Sequence, residues 1–244
     1  MKSFLRAHRV SPPGLMLWGA FFFITISWLL ILTSQPASSW KSGWFSYKDS
    51  SGKERKAYGF LPTKAEKQSN LPLMLLLHPA GSASNMVDHY AQAAERCGWI
   101  LASSSAVYNG SDEEQDREEL KELALSMQKT YRADKRHTFL AGHSGGACTA
   151  YYLVLTDPDV FRGAIVENGH CGPWRTIKDE AKGNSVFYLF TRTSDFNMPA
   201  TKQLYQEMTA KGFKVNYREL AGGHMGMQAS ELDDAFNWLL KNGR

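Results

Sequence analysis

The feature that most restricts what this chain can fold into is an almost uninterrupted apolar run, Leu71-Pro72-Leu73-Met74-Leu75-Leu76-Leu77, ending in His78-Pro79-Ala80-Gly81-Ser82. A strand that is apolar at both parities has no face left for water, so it must be covered on both sides, as central strands of parallel sheets are. The same pattern recurs down the chain. A helix-like stretch follows over 85–96, then a strand at 99–102, then a charged helix that opens near Ser111-Asp112 with acids suited to the positive end of its dipole and runs to about 131. Residues 137–141, 162–166, 186–190 and 214–220 read as further strands, and 199–211 and 231–240 as helices, the last with Phe236, Leu239 and Leu240 on one face. Ahead of them, Trp44, Phe45 and Tyr47, the turn Asp49-Ser50-Ser51-Gly52 and the stretch 57–61 read as two strands around a turn. Such alternation predicts an α/β fold: a mostly parallel sheet with helices on both faces and an antiparallel N-terminal edge hairpin. No repeat, linker or change of composition interrupts 40–244, which reads as one domain.

The first 39 residues read as an address. Lys2, Arg6 and Arg9 precede an uncharged run of 18 residues, 15–32, and small residues including Ala37 and Ser39 follow. This is the shape of a secretory signal peptide, and the run is also just long enough for a signal anchor tethered in a membrane. Either way the basic head stays in the cytoplasm, and the body is expected to be exported: secreted, periplasmic or anchored. The head also accounts for most of the net charge of +4, because it holds three bases and no acid, leaving 25 bases against 24 acids in the body. A body so close to neutral gives no support for nucleic-acid binding through a basic surface. Three cysteines, Cys97, Cys148 and Cys171, make no even framework. One bridge such as Cys148–Cys171 is open to an exported chain, but buried free thiols are the plainer expectation.

After the strand at 137–141 comes Gly142-His143-Ser144-Gly145-Gly146, followed by the small residues Ala147, Cys148, Thr149 and Ala150. A G-x-S-x-G between a buried strand and a helix is the setting of a nucleophile elbow, in which a tight turn exposes the serine at a helix N-terminus. A serine hydroxyl needs a base, and the base needs an orienting acid. Asp195 lies after the strand 186–190 and His224 after the strand 214–220, where parallel sheets gather their chemistry, in the chain order Ser, Asp, His. Glu167 is the rival acid. His170 competes as base but comes too early in the order, which suits it to lining a substrate pocket, as His78 also could. His143 lies within the elbow, where its backbone is needed and its side chain is optional, while His89 and His137 suit packing or the surface. An oxyanion would be held by two backbone donors, the N–H of Gly145 and one from the loop at His78; Pro79 has no N–H, so Ala80 is the candidate and Gly81 the second choice.

Together, the His78 loop, the Gly-His-Ser-Gly-Gly elbow, the stretch 158–164, the Asp195…Pro199 loop and Gly223-His224 resemble the α/β-hydrolase superfamily, and within it small secreted esterases related to polyhydroxybutyrate depolymerases and feruloyl esterases. The resemblance covers nearly all of 44–240. It implies the α/β-hydrolase fold and a serine hydrolase that cleaves small or polymeric carboxylic esters through Ser144, Asp195 and His224. The short segment between 155 and 162 leaves no room there for a large lid. The same residues would also serve a peptidase, thioesterase or lactonase, since fold and nucleophile do not set the leaving group. A non-catalytic, membrane-tethered binding module of the same fold is the reading from another class. No zinc-type spacing and no phosphate-cradling glycine loop is present, so neither metal nor cofactor is expected.

Overall fold

The computed structural model describes residues 41–169 and 185–243. Strands β1 (Ser42–Lys48) and β2 (Glu54–Phe60) form the opening hairpin. They are followed by β3 (Leu73–Leu77), α1 (Ala83–Cys97), β4 (Ile100–Ser103), α2 (Glu113–Tyr131), β5 (Thr138–His143), α3 (Gly145–Thr156), β6 (Gly163–Glu167), β7 (Val186–Arg192), α4 (Met198–Ala210), β8 (Lys214–Leu220) and α5 (Ala229–Asn242). The sheet runs in the order β1-β2-β4-β3-β5-β6-β7-β8. Pairings β1–β2 and β2–β4 are antiparallel and the rest are parallel.

The continuous apolar runs are explained by two cores, one on each face of the sheet. Leu73, Leu75 and Leu77 of β3 point to the face covered by α2, α3 and α4, where Leu120, Leu123, Val154 and Met208 meet them. Met74 and Leu76 point to the other face, against Met86, Val87 and Tyr90 of α1 and Leu232, Phe236 and Leu239 of α5. Burying each such side chain contributes about 1.5–3 kcal/mol, and both parities of β3 are used. Edge strand β8 is only partly covered and carries Lys214, Arg218 and Glu219, charges that discourage edge-to-edge pairing with another chain. The hairpin is tied to α2 by polar contacts: Arg55, held by Asp49 of the turn at 2.7 Å, reaches Glu119 at 2.5 Å, and Tyr47 donates to Glu119 at 3.0 Å.

This topology creates the site. The strand order reverses at β3, whose neighbours are β4 on one side and β5 on the other. The chain leaves β3 for α1 on one face and leaves β5 for α3 on the opposite face, so the loops at their C-terminal ends part and leave a crevice. The His78 loop and the Ser144 elbow are those two loops.

Two sequence expectations fare differently here. Cys148 is disulfide-bonded, not the buried free thiol expected, and Cys97 is the free cysteine among the described residues; Cys171 lies outside them. No helix among the described residues is long and apolar enough to cross a membrane, and the run 15–32 lies outside them.

Candidate active site

Ser144 links β5 to α3 with φ 53° and ψ −121°. Left-handed backbone is costly for a residue with a Cβ and persists where the surroundings impose it. Here its N–H donates to the Glu167 carbonyl at 2.9 Å, and its own carbonyl accepts from Ala147 at 3.1 Å to open the helix. The turn is also crowded. A Cβ on Gly142 would stand 2.3 Å from backbone atoms of Gly146, and one on Gly146 would stand 2.4 Å from the Leu77 carbonyl oxygen. The spacing of glycines around the serine therefore follows from how closely β5, α3 and β3 approach.

Asp195 and His224 come from the loops after β7 and β8 and meet: Asp195 Oδ2 is 2.8 Å from Nδ1 of His224. The other carboxylate oxygen accepts the Asn197 N–H at 2.7 Å, and the Asp195 side chain is fully buried while that of His224 is about a quarter exposed. With Nδ1–H committed to the carboxylate, Nε2 is left to accept a proton. The imidazole packs on two rings, Phe196 at 4.4 Å and His143 at 4.7 Å between centroids. His143 precedes Ser144 directly, so this contact brings the Asp–His pair to the elbow. Its side chain is thus part of the site, where the sequence had made it optional. Burial, and next the field of His224, push the His143 imidazole down to about 4, so it stays neutral near pH 7.

Glu167, the rival acid, is engaged elsewhere. It is fully buried, accepts from Tyr90 Oη and from the Met227 N–H at 3.4 Å, and stands 3.8 Å from His143 Nδ1. Desolvation raises its pKa above the ordinary carboxylate range.

Several residues that hold the base loop escaped the sequence reading. Asn168, at φ 47°, donates from Nδ2 to the Met225 carbonyl at 2.8 Å and accepts at its own carbonyl from Asn197 Nδ2 at 2.9 Å. It thereby links the acid loop to the base loop. Arg192, also buried, donates to the carbonyls of Ala221 at 3.0 Å and Gly226 at 3.1 Å and pairs with Glu231 at 2.9 Å. His89 Nε2 lies 2.7 Å from the Met227 carbonyl. The one available signal was a pair of polar residues directly after an apolar run, Glu167-Asn168 after 163–166 and Thr191-Arg192 after 186–190.

The His78 loop differs from expectation. The Ala80 N–H, expected to face the oxyanion, donates to Nδ1 of His78 at 3.0 Å, and the Gly81 N–H, the second choice, donates to the His78 carbonyl at 3.0 Å. Burial lowers the His78 pKa, favouring the neutral ring that can accept. His170, the other pocket candidate, lies outside the described residues.

No protein-family model matches the chain, and no curated protein does. Solved structures match over most of its length. One of two fungal esterases from Rhizomucor miehei superimposes with a TM-score of 0.66 at 11% identity, covering 83% of each chain. A ferulic acid esterase gives 0.59 at 17% identity, over 82% of this chain and 96% of its own. An S-formylglutathione hydrolase from Agrobacterium tumefaciens gives 0.62 at 15% identity, over 83% and 94%. Identities this low speak to architecture alone. The strand order, the antiparallel edge, the strained serine turn and these superpositions agree on it: the chain has the α/β-hydrolase fold.

Proposed function

We propose that this protein is a serine hydrolase that cleaves carboxylic esters through an acyl-enzyme. Ser144 Oγ attacks the acyl carbon while His224 Nε2 takes its proton, and Asp195 orients the imidazole and stabilises it when charged. As the tetrahedral intermediate collapses, the bond to the alcohol oxygen breaks and His224 returns the proton to the leaving alcohol. Water, deprotonated by the same imidazole, then releases the acid and restores Ser144. The Gly145 N–H, at the start of α3, is one donor to the oxyanion. The reading rests chiefly on the 2.8 Å Asp195–His224 bond, with the ring of Ser144's neighbour His143 packed on that imidazole. A neutral His143 suits the role, because a second cation there would oppose charging of His224.

The test is direct. The full chain should be labelled by a fluorophosphonate and should hydrolyse a p-nitrophenyl ester. Ser144→Ala should lose both, with turnover falling by about 10⁴-fold or more and the melting temperature nearly unchanged. Turnover retained in that variant would refute the assignment. A thioesterase reading has one observation behind it, the superposition on a hydrolase titled for S-formylglutathione, and a panel pairing oxygen esters with matched thioesters separates the two. Export completes the proposal: the basic and apolar leader and a disulfide at Cys148 both suit an oxidising compartment.

A further inference from the structure

An oxyanion needs two donors, and in this structure the two loop amides expected to offer the second are committed to His78. We infer that the side-chain amide of Asn109 is that second donor, an inference that rests on the proposed serine-hydrolase reading. Asn109 lies in the loop between β4 and α2, exposed, immediately over the elbow. A Cβ on Gly145 would stand 1.9 Å from Asn109 Oδ1 and 2.6 Å from Nδ2. The amide therefore fills the space that any side chain at the position after the nucleophile would occupy. That position also carries the N–H assigned as the first donor.

The loop is held against the His78 loop at two points. The Asn109 N–H donates to the Pro79 carbonyl at 2.8 Å, and the Ser105 carbonyl oxygen approaches within 2.9 Å of where a Cβ on Gly81 would be. It is braced on its other side as well. Ser111 Oγ accepts the Tyr108 N–H at 3.1 Å and lies 2.8 Å from Asp116 Oδ2 at the start of α2. The amide thus sits between the elbow and the loop after β3 on a fixed backbone, the arrangement a preorganised donor requires. A half-turn about χ2 exchanges its oxygen and nitrogen within the same contact, so Nδ2–H can meet an oxyanion as charge develops.

The experiment compares the full chain with Asn109→Ala and Asn109→Asp, using p-nitrophenyl ester turnover, melting temperature and affinity for a trifluoromethyl ketone, which forms a tetrahedral adduct. Asn109→Ala should lower kcat by about 10²–10³-fold with KM nearly unchanged, and should weaken the ketone by the same factor as kcat/KM. Asn109→Asp keeps the size but replaces the donor with a negative charge, and should lose at least as much. Melting temperatures should stay close to that of the parent, since the side chain is exposed. A kcat for Asn109→Ala within about threefold of the parent, or equal losses in substrate and ketone binding with kcat intact, would overturn the inference. An active parent with an inactive Ser144→Ala would in that case leave the serine-hydrolase reading standing. A parent that neither turns over nor is labelled removes both.

Discussion

His143 shows how burial, with a neighbouring imidazole, can set the charge of one side chain. Its ring packs on His224 with Nδ1 3.8 Å from Glu167, and the cost of charging it there takes its pKa down to about 4 from 6.5. The unfolded chain binds a proton near the ordinary value and the folded chain does not. The stability that comes from keeping this ring neutral is therefore full above pH 6.5 and is lost progressively as pH falls toward 4. Replacing it by glutamine removes the titration. In thermal melts taken from pH 7 down to 4, the parent should lose stability relative to His143→Gln, with the difference growing across that window. A difference that stays constant with pH would show that the ring is not held neutral as described.

At the scale of elements, the site depends on what lies at the ends of β6 and β7. The base loop has no regular structure of its own, yet its carbonyls at Ala221, Met225, Gly226 and Met227 all have partners, supplied by Arg192, Asn168 and His89. Such pinning limits the freedom of the imidazole, and misplacement of a catalytic group by about 1 Å can cost 10²-fold in rate. Asn168→Ala should lower kcat by roughly tenfold or more on that account, while loss of the hydrogen bond to the Met225 carbonyl costs about 0.5–1.5 kcal/mol of stability. Stopped-flow acylation by a p-nitrophenyl ester and a denaturant titration would measure the two effects. Full activity in this variant would mean that the loop is held well enough without the bond.

For the whole molecule, two cores on a single sheet supply the stability, and one covalent link adds to it. Cys148 is bonded while Cys97 is free, its thiol pushed up to about 11 by burial and by Asp233. Mild reductant should therefore lower the melting temperature of the parent, removal of a native disulfide typically costing about 2–5 kcal/mol. The parent and Cys97→Ser should shift alike when reduced, as followed by differential scanning calorimetry. The same scale shows what was readable in advance. Strand–helix alternation, the hairpin, the elbow and the order of acid and base could be taken from runs of residue type, because burial on both faces and tight backbone approach write themselves into neighbouring positions. Asn109 left no such local pattern and Asn168 and Arg192 only a polar position after an apolar run, and each acts on residues far along the chain.

The two-sided sheet and the candidate residues Ser144, Asp195 and His224 were written in the order of residues, since periodicity, glycine spacing and strand-end position are local properties. The packing of distant segments was needed to show that Asp195 and not Glu167 meets His224, that the His143 ring packs on His224, and that the Ala80 amide faces His78. Each of these turns on a distance of a few ångströms between segments that the chain keeps far apart, and such distances are set by how the helices and loops pack on the sheet.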